Sequence, residues 1–268
     1  MTTFLLIDGS YFNFYRFYAL INWWKCAKPE EPLDNPAENQ EFVDKFRKTF
    51  VDKMLEIKKK LKIKDAITIV GKDCPREKIW RMKINSEYKA NRVYEDTFTG
   101  GPFFTMAYAE DLFIKGGANA IVEHPELEAD DCLALTTKHI RKTQPEAKIY
   151  IITSDTDYLQ LLDSTTFIYN LKFKEVKETK TYSGNPEKYL FCKILIGDKV
   201  DNIQGVFNKC GPKTADKCWE DENFFQEKLD KEDNAHENLE RNRTLIDFDH
   251  IPTELVEDFH RNCLKITS

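Results

Sequence analysis

The sequence predicts an α/β fold in which a mostly parallel central sheet is flanked by helices, with a helical region appended at the C-terminus. Five short runs typical of β-strands recur along the first part of the chain, separated by longer stretches with helically spaced apolar residues. This alternation is typical of βαβ units, whose strands pair in parallel. After about residue 185 the chain shows helices and turns but no convincing further strand. We therefore predict a core over residues 1–184 and a helical region over residues 185–268.

Strands and helices alternate in chain order. The predicted strands cover residues 4–8, 66–70, 120–123, 148–153 and 166–170. The predicted helices cover residues 41–61, 107–115, 129–141, 158–162, 186–196 and 212–219. Gly116-Gly117 ends the second of these helices, and the connections are short enough for βαβ units.

Composition indicates a globular protein of the cell interior. Hydrophobic residues make up 41% and charged residues 32% of the 268 residues, which excludes collagen-like, rod-like and mucin-like chains. The sequence has no run of about 18 apolar residues and no signal peptide, so we expect a cytoplasmic monomer without a membrane partner. The seven cysteines form no Cys-x-x-Cys pair, which is typical of reduced thiols and does not favour a zinc site.

The net charge of −6 hides an uneven distribution. Residues 220–258 carry 14 acidic and four basic residues, so the rest of the chain has a net charge of +4. An acidic total is therefore compatible with a basic working face that binds nucleic acid.

Acidic residues follow the predicted strands and the helix over 186–196. They are Asp8, Asp73, Glu128, Asp130, Asp131, Asp155, Asp157, Asp198 and Asp201. Ligands of open α/β sheets sit beyond the carboxyl ends of the strands, so these carboxylates are candidates for one shared site. Taken singly, an Asp at a helix start is more often an N-cap than a ligand, and this interpretation stays open for Asp131 and Asp155.

A cluster of so many like charges requires cations between them. Oxygen ligands alone favour Mg²⁺ or Mn²⁺. Two such ions about 4 Å apart can activate a water and stabilise the leaving oxygen of a phosphodiester. The carboxylates therefore predict phosphodiester hydrolysis.

Basic residues are concentrated between residues 76 and 92. If this segment is helical, Lys78, Arg81, Asn85, Lys89 and Arg92 fall on one continuous face that suits a phosphate backbone. A solvated charged face is the alternative interpretation.

Several short motifs together resemble one known family. In chain order they are Ile7-Asp8-Gly9-Ser10, Glu87-Tyr88-Lys89-Ala90-Asn91-Arg92, Glu128-Ala129-Asp130-Asp131, Ser154-Asp155-Thr156-Asp157 and Gly197-Asp198-Lys199-Val200-Asp201-Asn202-Ile203. Their order resembles that of the 5′ nucleases, which include flap endonucleases, the 5′ nuclease domains of bacterial DNA polymerases and phage 5′ to 3′ exonucleases. The resemblance runs from Phe4 to about Trp219. Residues 245–252 are in addition similar to T-even-type phage ribonuclease H, which removes RNA primers, so we expect a viral or phage-type replication nuclease.

The resemblance implies a PIN-like 5′ nuclease core, with a helical arch over about residues 76–118, and roles for the acidic and basic residues. It implies a first metal site made of Asp8, Asp73, Glu128, Asp130 and Asp155. It implies a second site made of Asp157, Asp198 and Asp201, with Asp155 between the two sites as an alternative. Asp131 would support a ligand or cap a helix. The basic residues that grip the scissile phosphate and stabilise transition-state charge would be Arg81, Lys89 and Arg92.

The family also carries a helix-hairpin-helix-type motif that holds duplex DNA, here over about residues 198–219. The residues implied to bind nucleic acid are Lys78, Lys83, Gly205, Val206, Gly211, Lys213 and Thr214. The motif departs from the family pattern around Asn208, so the resemblance supports a phosphate contact more than a bound K⁺ ion.

These observations lead to one function with two alternatives. We predict a nuclease dependent on two Mg²⁺ ions, with Mn²⁺ as a substitute, that acts as a 5′ to 3′ exonuclease, a flap endonuclease or both. Its substrates would be DNA and RNA–DNA duplexes with 5′ ends or flaps, in primer removal, replication or repair, beside other replication proteins. The alternatives are a PIN-type ribonuclease and a protein that binds branched nucleic acid without cutting it.

Overall fold

A parallel β-sheet of five strands forms the centre of the protein in the computed structural model, which describes residues 2–92, 98–178 and 184–264. The strands are β1 (Thr3–Asp8), β2 (Ile67–Gly71), β3 (Ala120–Val122), β4 (Lys148–Ile152) and β5 (Thr166–Tyr169), in the spatial order β3-β2-β1-β4-β5. All neighbouring strands run parallel. The predicted fold class is confirmed, and each predicted strand is present with its ends displaced by at most one residue.

The strand order reverses beside β1. From β1 the chain adds β2 and β3 on one side, and it then returns to add β4 and β5 on the other side. Asp8 pairs with Gly71 of β2, and Ile7 pairs with Ile152 of β4, so three carboxyl ends lie next to one another. Ligands of open α/β sheets bind outside the carboxyl ends at such a reversal. The topology therefore predicts a ligand site at the edge of the sheet beside Asp8.

Helices cover both faces of the sheet. In the first part of the described chain they are α1 (Gly9–Ala27), α2 (Gln40–Lys60), α3 (Arg81–Ile84), α4 (Gly101–Ala109), α5 (Leu112–Lys115) and α6 (Ala129–Thr143). Side chains alternate along β1, so Leu5 and Ile7 join the apolar layer formed with α1, α2, α4 and α5. Phe4 and Leu6 join the opposite layer, which contains α6. Burial of these two layers fixes the sheet between its helices.

A third apolar cluster belongs to the C-terminal helical region. The helices there are α7 (Pro186–Ile196), α8 (Pro212–Glu220), α9 (Glu222–Lys231), α10 (Ala235–Ile246) and α11 (Thr253–Asp258), followed by a π-helical turn at Phe259–Cys263. The cluster also contains Cys74, Ile79 and Tyr88 from the first part of the chain. The two predicted segments thus share a core, and the division at residue 184 remains a prediction.

Residues 76–92 do not form the continuous helix that would place their basic residues on one face. The segment consists of a 3₁₀ turn at Arg76–Lys78, the four-residue helix α3, and a series of turns up to residue 92. The side chain of Asn85 accepts a hydrogen bond from the backbone N–H of Glu87 at 3.1 Å, which competes with helical bonding. Lys89 adopts a left-handed conformation with φ 56°, which interrupts any helix. The basic residues therefore do not share one helical face, and residues 93–97 of the expected arch lie outside the described residues.

Two other predicted helices differ from the observed ones. The stretch 107–115 is divided between α4 and α5, because Asp111 has φ 54° and interrupts the helix. The stretch 158–162 forms a 3₁₀ helix at Asp157–Leu161. Among the described residues, no helix combines the length and the apolar character needed to span a bilayer.

Candidate metal centre and nucleic-acid interface

Two groups of carboxylates gather at the carboxyl edge of the sheet. In each group the ligand oxygens lie within 4.8 Å of one another. By this distance, the first group is Glu128, Asp130 and Asp131, and the second group is Asp157, Asp198 and Asp201. The structure therefore brings together side chains from the start of α6, from the segment after β4, and from the loop after α7.

Asp8 and Asp73 lie beside the first group. Asp8 caps α1, because its Oδ1 accepts from the backbone N–H of Tyr11 at 2.9 Å, and its Oδ2 accepts from the hydroxyl of Thr153 at 3.2 Å. Asp73 accepts from the hydroxyl of Ser10 and from the backbone N–H of Ala129 at 2.7 Å. These bonds hold the two carboxylates between the starts of α1 and α6.

Burial shifts the pKa values of these acids. Burial, and then the charge of Asp73, raises the pKa of Asp8 to about 7. Burial also raises the pKa of Asp73, and it raises that of Asp130 together with the charges of Asp131 and Glu128. Within the part of the chain that the structure describes, Asp8, Asp73 and Asp130 form no ion pair with a basic side chain. Such carboxylates attract a divalent cation strongly, because the ion would compensate their charge.

Glu128 differs from its neighbours because basic side chains contact it. Lys89 Nζ forms an ion pair with Oε1, Arg81 donates at 3.2 Å, and the hydroxyl of Tyr88 donates at 3.0 Å. Burial opposes ionisation, but the charges of Lys89 and Arg81 lower the pKa of Glu128. Lys89 Nζ also lies 3.8 Å from Asp201 Oδ2, so this ammonium lies between the two carboxylate groups.

Arg81 lies beneath the site rather than on its surface. The residue is 2% exposed. Its guanidinium donates to both oxygens of Asp131 at 2.7 Å, and its Nε donates to the carbonyl of Leu245 at 2.8 Å. The expected contact of Arg81 with a substrate phosphate does not fit this geometry, because its donors are already directed at partners within the protein.

Asp131 is held within the protein as well. Its carboxylate accepts from Arg81 and from the indole N–H of Trp80 at 2.9 Å. It also accepts from the backbone N–H of Glu128 at 3.2 Å, which completes a capping box at the start of α6. Although its oxygens lie near those of Glu128 and Asp130, they have few lone pairs left for an ion.

The second carboxylate group is partly buried and already paired with basic side chains. Asp157, Asp198 and Asp201 have side-chain exposures of 17%, 18% and 13%. Lys193 Nζ forms ion pairs with Asp157 and, at 3.1 Å, with Asp198 Oδ2. Asp201 pairs with Arg92 and accepts from the hydroxyl of Tyr88 at 3.2 Å. A tight loop returns Asp201 to this place, because Asp198 and Ile203 exchange backbone hydrogen bonds of 2.9 and 2.7 Å.

Sequence reasoning missed Lys193. It lies in the last turn of α7, five residues before Asp198. A basic residue at a helix C-terminus is usually attributed to the helix dipole, so its spacing from Asp198 was the signal available. Burial opposes ionisation of Asp198, but Lys193 lowers the pKa of that carboxyl.

Asp155 is electrostatically coupled to carboxylates of both regions. Its charge raises the pKa of Asp8, and burial, together with the charge of Asp198, raises the pKa of Asp155 itself. Its Oδ1 accepts from the backbone N–H of Asp157 at 2.9 Å. This arrangement suits the expected position between the two sites.

The expected nucleic-acid contacts divide into surface and interior positions. Lys78 and Lys83 are exposed, and Lys83 forms an ion pair with Glu126. Gly211 caps α8, with exposed Lys213 and half-buried Thr214 in its first turn. Pro212 has no N–H and the N–H of Thr214 donates to the carbonyl of Gly211 at 3.0 Å, so a phosphate here would be met by the backbone N–H and the ammonium of Lys213. Gly205 and Val206 instead pack against α7: a Cβ on Gly205 would meet the carbonyl of Ile196 at 3.0 Å, and Val206 is buried.

The residues present fit hard divalent cations. Both carboxylate groups offer oxygen donors alone, without histidine or cysteine. Such ligand sets suit Mg²⁺ or Mn²⁺ rather than zinc. A parallel α/β sheet with these carboxylates at its carboxyl edge is typical of metal-dependent nucleases.

Comparisons with known proteins identify the family. The model of the 5′-3′ exonuclease N-terminal resolvase-like domain matches residues 3–189. The 5′-3′ exonuclease of Aquifex aeolicus is 27% identical over 219 residues, which is 80% of this chain and 68% of that protein. The 5′-3′ exonuclease of Buchnera aphidicola is 27% identical over 248 residues, which is 90% of this chain and 76% of that protein. This chain therefore belongs to the 5′-3′ exonuclease family.

Solved structures show the same fold. The flap endonuclease D15 of bacteriophage T5, in a pseudo-enzyme-product complex with DNA and metal ions, has a TM-score of 0.65 and 18% identity, covering 97% of each chain. The predicted 5′ nuclease superfamily and the class of metal-dependent 5′ nuclease are confirmed. The narrower similarity to T-even-type phage ribonuclease H remains a prediction.

Proposed function

We propose that this protein hydrolyses phosphodiesters at or near 5′ ends or flaps of DNA and RNA–DNA duplexes, using two Mg²⁺ ions. The observation that carries the proposal is the pair of carboxylate groups at the edge of the sheet in a chain of the 5′-3′ exonuclease family. When bound, the two ions supply activation of the attacking water and stabilisation of the leaving oxygen. Mn²⁺ would replace Mg²⁺, since the ligands are all oxygen atoms.

We assign the metal ligands by their position. The first ion would be held by Asp8, Asp73, Glu128 and Asp130, directly or through water, and the second by Asp157, Asp198 and Asp201. Asp155 would lie between them and contribute to the first site. Asp131 would orient Glu128 through the capping box, since its oxygens bond Arg81 and the backbone of Glu128.

Lys89 and Arg92 are suited to hold the scissile phosphate. Lys89 Nζ lies between Glu128 and Asp201, and therefore between the two proposed metal sites. Arg92 pairs with Asp201 and keeps 41% of its side chain exposed, so it can turn towards a substrate. Both would stabilise the negative charge that develops on the phosphate in the transition state. Arg81 would position Glu128 and Asp131 from below without touching the substrate.

Cleavage assays test this proposal directly. The substrates are a 5′-labelled flap and a nicked RNA–DNA/DNA duplex, each with Mg²⁺ and with EDTA. We expect metal-dependent products at or near the 5′ end or flap junction. The double variant Asp155→Asn with Asp157→Asn should lose about 10³-fold or more in rate, because it removes ligands near both sites. Its affinity for the flap, measured by fluorescence anisotropy, should change by no more than about 3-fold.

A matched control is Asp230→Asn, an exposed acid on α9 that pairs with His236 and should leave the rate unchanged. Undiminished cutting by the double variant would refute the metal mechanism. Cleavage confined to single-stranded RNA would favour a PIN-type ribonuclease instead. Binding without any cutting would favour a structural protein for branched nucleic acid.

We propose that the start of α8 holds the duplex backbone. Lys213 is exposed in the first turn of this helix, so its ammonium can contact a phosphate there. Lys213→Met should weaken duplex binding about equally for all sequences and reduce the slope of log affinity against log salt by about 1. Anisotropy titrations at several salt concentrations measure this slope. Lys231→Met is the control, because this exposed lysine lies on a different helix, α9, and pairs with Glu227. An equal slope change in both variants would contradict the assignment.

The cellular role belongs to the same proposal. Action at 5′ ends of RNA–DNA would serve primer removal, replication or repair, in the cytoplasm and beside other replication proteins. We propose a monomer, since the carboxylates of both sites come from a single chain.

A further inference from the structure

Lys193 bridges two acids of the second carboxylate group. Its ammonium contacts Asp157 and lies 3.1 Å from Asp198 Oδ2, and its side chain is only 10% exposed. One carboxylate oxygen from each of Asp157, Asp198 and Asp201 lies within 4.8 Å of the other two. The ammonium therefore contacts two of the three carboxylates that would hold a divalent cation.

The negative charges of the carboxylates beside β1 are compensated in a different way. Asp8 and Asp73 accept hydrogen bonds from neutral donors, namely hydroxyls and backbone N–H groups. Asp130 accepts from the backbone N–H of Asp131 at 2.8 Å. Among the residues that the structure describes, Glu128 is the one acid of the set Asp8, Asp73, Glu128 and Asp130 that pairs with basic side chains. The two sites thus differ in how much positive charge the protein itself supplies.

We propose that Lys193 is a tethered cation that neutralises the second carboxylate group until a divalent ion displaces its ammonium, and that it makes the second site weaker than the first. This inference rests on the proposed two-ion function. The ammonium and the ion compete for the carboxylates of Asp157 and Asp198, and they repel each other at short range. The effect requires only the fixed positive charge of the ammonium and no proton transfer.

The neutralising role has a second consequence. Without metal, removal of the ammonium leaves Asp157 and Asp198 close together and uncompensated, so the folded state is destabilised by their repulsion. With metal bound, the ion replaces the lost charge. Lys193 therefore stabilises the folded protein when metal is absent, and it lowers the affinity of the second site for its ion.

Metal titration of Lys193→Met tests this. Isothermal titration calorimetry with Mn²⁺, in the absence of nucleic acid, gives the dissociation constants of both sites. We expect the second-site constant to fall about 10-fold or more in Lys193→Met and the first-site constant to change by less than about 3-fold. Lys193→Arg, which keeps the charge, should retain a weak second site. In EDTA, Lys193→Met should melt below the wild type, and saturating Mn²⁺ should close the difference.

Lys188→Met is the matched control, because Lys188 is on the same helix and pairs with Asp216 at 2.8 Å and Glu220 at 3.3 Å. It should change neither metal constant. If Lys193→Met does not fold, the wild type provides the test. Reductive methylation followed by mass spectrometry should then show that Lys193 is labelled more readily in saturating Mn²⁺ than in EDTA. Unchanged labelling would overturn the inference.

The outcomes separate the inference from the proposed function. If the wild type binds two ions and Lys193→Met binds the second no more tightly, the inference fails and the two-ion function stands. If the wild type binds no divalent ion, both fail. Tighter second-site binding in Lys193→Met alone, with Lys188→Met unchanged, supports the inference.

Discussion

Asp8 combines a structural and a chemical task in one side chain. It ends β1, caps α1 through the N–H of Tyr11, and faces the other carboxylates. The capping bond favours its ionised form, but burial and Asp73 outweigh it and raise its pKa to about 7. A carboxyl whose pKa is raised by folding favours the folded state fully below its unfolded pKa of about 4. That contribution is lost as the pH rises through 7.

Asp8→Asn should therefore stabilise the metal-free protein. Asn caps a helix as well as Asp does, and it removes the buried charge. In EDTA at pH 8, the free energy of unfolding should rise by up to about 4 kcal/mol, because folding raises the pKa of Asp8 from about 4 to about 7 and each pKa unit corresponds to about 1.4 kcal/mol. The gain over wild type should grow between pH 4 and pH 7 and then stay constant. Urea unfolding at a series of pH values measures it, and Mg²⁺ should stabilise the wild type more than the variant.

Asp163→Asn provides a control of opposite sign. Burial opposes ionisation of Asp163, but hydrogen bonds from Thr165 lower its pKa overall. Its ionised form therefore stabilises the fold above the unfolded pKa, and this contribution is lost as the pH falls. The control variant should be less stable than wild type at pH 8. An Asp8→Asn protein that is also less stable in EDTA at pH 8 would contradict the burial argument.

At the scale of elements, α3 is held by tertiary contacts rather than by its own helical bonds. A helix of four residues is not stable by itself. Arg81 anchors it to Asp131 of α6 and to the carbonyl of Leu245 in α10. This short helix thus connects the capping box under Glu128 with the C-terminal helical region.

Loss of the Arg81 charge should be severe. Arg81→Met leaves the fully buried Asp131 carboxylate without its cation and should cost about 3–5 kcal/mol of unfolding free energy. Lys83→Met is the control on the same helix, because the Lys83 side chain is 65% exposed in its ion pair with Glu126. That change should cost no more than about 1 kcal/mol. Denaturant unfolding in Mg²⁺ compares the two, and equal losses would show that the buried pair has no special weight.

At the scale of the whole molecule, the site and the cores cross the predicted boundary at residue 184. Asp198 and Asp201 of the second carboxylate group belong to the C-terminal segment, whereas Asp157 belongs to the first. The third apolar cluster likewise takes Ile79 and Tyr88 from the first segment. The geometry favours two segments that depend on each other for both stability and activity.

A fragment of residues 1–184 should therefore be inactive. It lacks two of the three carboxylates of the second group, and it exposes the apolar side chains that the C-terminal helices cover. We expect cleavage of the flap substrate to fall by about 10³-fold or more. We also expect a lower melting temperature than that of the full chain, measured by circular dichroism. Retained cleavage by the fragment would show that the second group is dispensable.

Sequence patterns alone determined the sheet and the presence of acidic residues at its carboxyl edge. Strand periodicity is a local property, and acidic residues at strand ends meet because parallel strands bring their carboxyl ends together. Spacing was insufficient for residues 76–92, where the basic residues share one face only if the segment is a continuous helix. Asn85 and Lys89 interrupt it, through a side-chain bond and a left-handed backbone.

Tertiary structure decided what each charged side chain does. Arg81 is buried because its partners Asp131 and Leu245 lie 50 and 164 residues further along the chain. Lys193 reaches Asp157 because α7 packs against the 3₁₀ helix that begins at Asp157. Local sequence specifies which groups can ionise. The contacts between distant segments specify which charges are compensated by the protein and which are left for metal ions, because compensation depends on distances that only the folded chain defines.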